Sequence, residues 1–234
     1  MKKLVVLTGA GMSSESGIRT FRDSGGLWEE YDVTEVATYE AWMRNRELVL
    51  RFYNERRRQL AGCEPNAGHR GLADLEKHFD VQIITQNIDN LHERAGSRKV
   101  LHLHGELTMA RSTIDPTLVY DIGYKDISNG DKCEKGSQLR PHIVWFGEEV
   151  PMMDEAVKLT AEADIFVVAG SSLNVYPAAG LISYTPQKAS LWLIDPKDVA
   201  VPVNRKVEVI KEMASRGVEI LTRRLLSPNL PFLS

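Results

Sequence analysis

Two cysteines in 234 residues, Cys63 and Cys133, cannot build a disulfide framework, and neither sits in a C-x-x-C pair. That spacing excludes a disulfide-stapled scaffold and fits a reducing compartment. A large excess of charge of one sign is also missing: 29 basic residues face 32 acidic ones, for a formal net charge of −3. No basic excess calls for nucleic acid or for an anionic membrane surface. There is no long apolar run either, because Met1-Lys2-Lys3 passes directly into a short apolar stretch. That stretch is too short for a signal h-region or a membrane span, so the expected location is cytoplasmic. Internal repeats and low-complexity tracts are absent as well. What is present is ordinary: 43% apolar and 26% charged residues, enough for one globular domain with a small lobe attached.

The most informative stretch runs from Val5 to Gly26, VVLTGAGMSSESGIRTFRDSGG. Leu4 to Leu7 is an apolar run of strand type covered on both faces, and Thr8-Gly9-Ala10-Gly11 turns sharply out of it. Backbone N–H groups at a strand-to-helix turn can cradle a phosphate, and the positive end of a following helix favours an anion. The dinucleotide fingerprint G-x-G-x-x-G is only partly met, since Ser14 holds its third place. A nicotinamide dehydrogenase would add an acidic residue at the end of the second strand, about 20 residues past the glycines. The next strand here ends near Gln86, so that rival fails.

A helical tract is expected from about Thr38 to Leu60. At about 100° per residue Val49, Phe52, Tyr53 and Leu60 share a face, with Arg56 in its middle and Arg51 and Arg58 opposite. An arginine centred on an apolar stripe calls for an anionic partner. Pro65-Asn66 opens a further helix carrying Leu72, Leu75 and Phe79. Val81 to Asn87 is a strand ending in polar residues, Gln86, Asn87 and then Asp89, where open parallel sheets bind ligands. In KVLHLHGE, His102 and His104 face the same side, and His104 stands at the carboxyl end. From Glu106 to about Leu139 the periodicity breaks down into turn signals, so a loop-rich insertion is expected. His142 to Glu148 restores a regular pattern. A helix over Asp154 to Ala163, a strand over Ile165 to Gly170, and small residues Gly170-Ser171-Ser172 follow. A strand then ends at Asp195, a helix carries Val207, Ile210 and Met213, and Val218 to Leu221 forms a last strand. The expected fold class is α/β: a Rossmann-like parallel sheet with helices on both faces, plus a small inserted lobe without metal. The large lobe covers about 1–25, 62–105 and 142–234, the helical segment 26–61 and the insertion 106–141.

Taken in order, GAGxSxxSGIxxFR, TQNIDNLH, HxHGE, VWFGE and GSSxxVYPAAG resemble the sirtuins, NAD-dependent protein-lysine deacylases. Tyr53 and Arg56 resemble the Y-x-x-R pair of the class III branch, which prefers succinyl and malonyl groups on lysine. An arginine fork matches a carboxylate bidentately, and Tyr53 lies three residues earlier on the same helix face. The resemblance implies NAD as cofactor, held at Gly9, Ala10 and Gly11, at Gly170, Ser171 and Ser172, and at Asp195, with Ser13 and Ser16 bonding or capping nearby. It implies that Phe21, Arg22 and Trp28 belong to a loop covering NAD, and that Gln86, Asn87, Ile88 and Asp89 meet its nicotinamide end. Asn87, Asp89 and His104 would be the catalytic group, with His104 taking a ribose hydroxyl proton after the acyl oxygen attacks the ribose carbon. Val144, Trp145, Phe146, Gly147 and Glu148 would pair with the substrate peptide as an added strand.

Three features depart from that pattern. The insertion holds only Cys133 where most sirtuins carry four zinc-binding cysteines, so no zinc is expected. Arg19 stands where proline is usual. Asp195 replaces a frequent asparagine and would disfavour a 2′-phosphate, favouring NAD over NADP. The expected partners are acylated lysine side chains of proteins, with neither nucleic acid nor membrane, and a monomer is favoured. The alternatives are an NAD hydrolase or ADP-ribosyl transferase on the same site, or a lapsed NAD-sensing module. His69, His78, His92 and His142 lack partners at metal-ligand spacing and are expected to be structural.

Overall fold

A computed structural model describes residues 1–19, 31–201 and 203–227. The sheet at its centre has six parallel strands: β1 (Lys3–Thr8), β2 (Asp80–Thr85), β3 (Val100–His102), β7 (Ile165–Ala169), β8 (Ser190–Ile194) and β9 (Glu208–Ile210). Their order is β3-β2-β1-β7-β8-β9. The chain therefore reverses direction of travel across the sheet between β1 and β7. Such a switch point leaves a crevice outside the carboxyl ends of the two strands.

Alternation along β1 explains why its four apolar residues are all needed. Leu4 and Val6 pack on one face with Ile83, Val167, Leu72 and Val218. Val5 and Leu7 pack on the other with Ile84, Phe166, Val168 and Leu181. All four are fully buried, as the centre of a two-sided parallel sheet requires.

The helical tract expected from about Thr38 to Leu60 is divided into shorter helices. The helical segment comprises α1 (Val33–Val36), α2 (Tyr39–Arg44) and α3 (Arg46–Ala61). Thr38 caps α2 by accepting from the Ala41 N–H at 3.0 Å, and Asn45 caps α3 by accepting from Leu48 at 3.1 Å. Each cap satisfies a terminal donor and starts a new helix, so the periodicity carries across a break that the side chains create. The next helix, α4 (Ala67–Asp74), begins in a capping box: the Asn66 side chain accepts from the N–H groups of Gly68 and His69. The His69 ring accepts in return from the Asn66 N–H.

The insertion is more regular than its turn signals suggest. β4 (Gly105–Ser112), β5 (Val119–Asp121) and β6 (Leu139–Ile143) form an antiparallel sheet in the order β5-β4-β6. Its buried residues Leu107, Ala110 and Ile143, with Ile127 from the stretch between β5 and β6, join Phe52, Tyr53, Leu60 and Trp145 in a core of their own. Among the described residues no group of histidines, cysteines and carboxylates is arranged to hold a metal ion.

A short helix α5 (Leu91–Arg94) follows β2, and α6 (Met153–Ala161) precedes β7. The expected last two elements are exchanged. Val218 to Leu221 lies inside a helix, α7 (Ala214–Leu226), while part of the segment expected as a helix forms β9. Ala214, Gly217, Val218 and Leu221 are the buried positions of α7, a 3.6-residue spacing that packing against the sheet enforces.

Candidate functional site

A cavity of about 820 Å³ opens over the strand ends at the switch point. Its floor is built by two glycine turns that interlock. The Gly9 N–H donates to the Ala169 carbonyl at 3.1 Å, and the Gly11 N–H to the Gly170 carbonyl at 2.9 Å. The expectation that these N–H groups face outward as a phosphate cradle is therefore corrected: they join the β1 and β7 turns. The turn leads into two single 3₁₀ turns, Ala10–Met12 and Ser14–Ser16. The glycines serve close approach. A Cβ on Gly9 would meet the Gly170 carbonyl oxygen at 2.7 Å, and one on Gly170, whose φ is +61°, would meet the Met12 nitrogen at 2.2 Å. The absence of side chains here leaves the cavity floor low enough for a bulky ligand to lie against backbone. Ser14 turns inward instead of serving as a third glycine, donating to the Gly11 carbonyl at 2.9 Å.

The end of β2 supplies the polar centre. Gln86 Nε2 donates to Ser171 Oγ at 2.9 Å, tying β2 to the β7 turn. Both amide protons of Asn87 have acceptors in the protein, the Gly9 carbonyl at 3.0 Å and Ser13 Oγ at 3.1 Å. What Asn87 can offer a ligand is its carbonyl oxygen. Ser13 Oγ in turn donates to Asp89 Oδ2 at 2.9 Å, and Asp89 Oδ1 accepts from the Leu91 N–H at 3.1 Å. Burial raises the Asp89 carboxyl above its ordinary range, and the Ser13 and Leu91 bonds work against that rise.

Beneath this layer sits a buried polar network. Thr8 Oγ1 donates to Thr85 Oγ1 at 2.9 Å and lies 3.1 Å from His92 Nε2. Having given its proton to Thr85, Thr8 can only accept from His92, so His92 carries its proton on Nε2. The His69 and His92 rings meet edge to face, 4.8 Å between centroids, and His69 Nε2 lies 3.5 Å from Ser13 Oγ. Burial depresses both imidazoles, His69 to about 4 with Arg70 adding to the fall, and His92 well below its ordinary value. Both are neutral supports of the floor.

His104 projects from the turn between β3 and β4. Its Nδ1 lies 2.9 Å from the Gln86 carbonyl oxygen, which can only accept. The proton is therefore on Nδ1, and Nε2 keeps its lone pair. Burial lowers the pKa of this imidazole, with the Gln86 bond working in the opposite sense. His104 is thus a neutral base on the cavity wall. His102 does not line the cavity and instead lies 2.8 Å from the Glu93 carboxylate.

From α3 come Tyr53 and Arg56, both in the wall. The Tyr53 hydroxyl accepts from Trp145 Nε1 at 3.0 Å, and the Arg56 guanidinium carbon lies 5.5 Å from the centroid of the Phe52 ring. Arg57, which the helix-face reading passed over, is fully buried. It donates through Nε to the Leu107 carbonyl at 2.6 Å and through Nη1 to Asn54 Oδ1 at 2.7 Å, holding the small sheet to α3. Only a three-dimensional neighbour reveals this role, because Arg57 sits in a run of three arginines.

Val144 to Glu148 all line the cavity, yet the segment is a turn more than an open strand. The Val144 N–H donates to the His104 carbonyl, that of Phe146 to Ala37, and that of Glu148 to Trp145. The Trp145 N–H donates to Glu148 Oε2 at 2.9 Å. Strand addition along this stretch would therefore draw mainly on its carbonyl acceptors. Of the remaining expected residues, Ala10, Ile88, Ser172 and Asp195 line the cavity, as does Arg19. Ser16 does not; its Oγ accepts from Asn66 Nδ2 at 3.1 Å outside the cavity wall. Phe21, Arg22 and Trp28 lie outside the described residues. Asn174 to Pro177 complete the wall, a stretch present in the GSSxxVYPAAG motif but not singled out as a site.

A sequence model of the Sir2 family matches residues 9–177. Among curated proteins, an NAD-dependent protein deacylase of Bacteroides thetaiotaomicron is 55% identical over 234 residues, covering 97% of this chain and 99% of the relative. Among solved structures, a mutant Sir2 homologue in complex with ADP-ribose superposes with a TM-score of 0.88 at 38% identity, over 98% of this chain and 95% of the other. A Sir2 homologue in complex with NAD gives 0.87 at 38% identity, over 97% and 90%.

Proposed function

The chain belongs to the Sir2 family, and on that premise we propose that its acyl pocket selects short acidic groups on protein lysines, succinyl and malonyl ahead of acetyl. It is an NAD-dependent protein deacylase, with its Rossmann-like large lobe as the cofactor-binding frame. The residues fit NAD: the side-chain-free floor at Gly9, Gly11 and Gly170 admits a dinucleotide against backbone, and Asp195 can accept from ribose hydroxyls. When bound, NAD supplies an activated ADP-ribosyl group to which the acyl chain is transferred as nicotinamide departs. Asn87 and Asp89, locked through Ser13, orient that end of the ligand. His104 accepts a ribose hydroxyl proton at Nε2.

The observation that carries the acyl preference is the presence of Tyr53 and Arg56 in the same cavity wall as Asn87, Asp89 and His104. Arg56 supplies a permanent cation with a forked donor set, the complement of a terminal carboxylate. Phe52 and Trp145 flank the pair and favour a short methylene chain. The natural substrates are acylated lysines in proteins of the cytoplasm, and the enzyme works as a monomer without zinc. Incubation with NAD and a succinyl-lysine peptide should give nicotinamide, free lysine and O-succinyl-ADP-ribose in equal amounts by mass spectrometry. Nicotinamide release without lysine release would favour the hydrolase reading instead.

A further inference from the structure

The contact between Trp145 and Tyr53 joins two residues so far given separate tasks. Trp145 Nε1–H donates to the Tyr53 hydroxyl oxygen at 3.0 Å, with both side chains almost completely buried. A phenol hydroxyl has one proton to give, and here its oxygen already accepts a bond. Among the described residues the Tyr53 proton has no acceptor in the protein, while the ring lines the cavity beside Arg56. Burial pushes the Tyr53 phenol up, so it is neutral and keeps that proton.

The indole is itself held rigidly. The Arg140 guanidinium carbon lies 3.4 Å from the Trp145 ring centroid, and the Trp42 ring packs 5.8 Å away. Arg140 is fixed by two bonds to Glu148, Nη1 to Oε1 at 2.7 Å and Nη2 to Oε2 at 3.0 Å. Glu148 also accepts from the Trp145 backbone N–H, which closes the unit on itself. Burial alone would raise Glu148, but Arg140 and the Trp145 N–H hold it below the usual carboxylate range. The stack thus presents one donor, the indole N–H, in one direction.

We propose that Trp145 is a positioning residue for acidic acyl groups: its indole N–H occupies the acceptor side of the Tyr53 hydroxyl and directs the phenolic proton to the acyl carboxylate beside Arg56. The inference rests on the reading of Tyr53 and Arg56 as the acyl pocket. Its consequence is that selectivity for an acidic acyl group depends on a residue that need not touch that group. Without the indole N–H the hydroxyl would be free to rotate and could turn its proton away from the carboxylate.

The test replaces Trp145 by β-(3-benzothienyl)alanine, which keeps the fused ring and substitutes sulfur for the N–H, with Trp145→Phe as a second variant. The readout is the ratio of kcat/KM for succinyl-lysine over acetyl-lysine peptides. Removing the N–H should lower that ratio about tenfold, mainly through the succinyl KM, the scale of one hydrogen bond to a charged group. In a Tyr53→Phe background the same replacement should leave the ratio unchanged. Equal losses for both peptides would mark Trp145 as merely structural and overturn the proposal. So would a fall that persists without the Tyr53 hydroxyl. A wild-type enzyme with no succinyl preference would instead overturn the acyl-pocket reading itself, before any variant is compared.

Discussion

His104 Nδ1 lies 2.9 Å from the carbonyl oxygen of Gln86, so the imidazole proposed as the base is oriented by the backbone of the adjacent strand end. The bond sets which ring nitrogen is bare, and the surrounding burial sets when it is bare. His104→Ala should lower kcat by at least about 100-fold, the usual scale of a lost general base, while NAD affinity measured by calorimetry changes little. A variant retaining more than a tenth of wild-type kcat would remove His104 from the proton transfer.

The pH dependence of turnover follows from the same environment. As the proposed base His104 would act only when neutral, and burial lowers its pKa from 6.5. The acidic limb of the kcat/KM profile should therefore lie below the ordinary imidazole value, with activity falling as pH drops through it. An acidic limb above 7 would require another group to control the step.

Stability should respond to acid through His69 and His92. The folded pKa of His69 is about 4 against 6.5 in the unfolded chain, and His92 is shifted in the same direction. On acidification the unfolded chain takes up these protons near pH 6.5 while the folded chain does not, so stability is lost between about 6.5 and about 4. For His69 alone the full shift corresponds to roughly 3 kcal/mol. Urea unfolding across this range checks it: His69→Gln should show a shallower pH dependence than wild type, and an identical dependence would contradict the assignment.

Arg57 should anchor the small sheet. Arg57→Met keeps the aliphatic stem but leaves the Leu107 carbonyl and Asn54 without their donor, at a cost of about 3 kcal/mol. Hydrogen exchange should show the loss first in β4. If zinc plays no part in this lobe, metal analysis of the purified protein should find none in stoichiometric amount, and a chelator should leave the urea midpoint unmoved. One zinc per chain would contradict that expectation.

The sheet was legible because buried parallel strands need continuous apolar runs, and Leu4 to Leu7 and Ile165 to Ala169 have them. The polar strand ends were legible for the same reason: Asn87, Asp89 and His104 stand where such runs stop. Val218 to Leu221 was misassigned because a short apolar run fits periods of 2 and 3.6 alike, and only the wider spacing from Ala214 to Leu221 separates them. The interlocked Gly9 and Gly170 turns, Arg57 under the small sheet, and Arg140 over Trp145 depend on partners distant in sequence. No local pattern encodes them.

The acyl preference is tested most directly by steady-state nicotinamide release from the wild-type enzyme with saturating NAD and matched succinyl-lysine and acetyl-lysine peptides. Arg56 and Tyr53 in the cavity wall predict a higher kcat/KM for the succinyl peptide, by about tenfold or more, the scale of a charge-assisted contact. Equal values, or a higher value for the acetyl peptide, would contradict it.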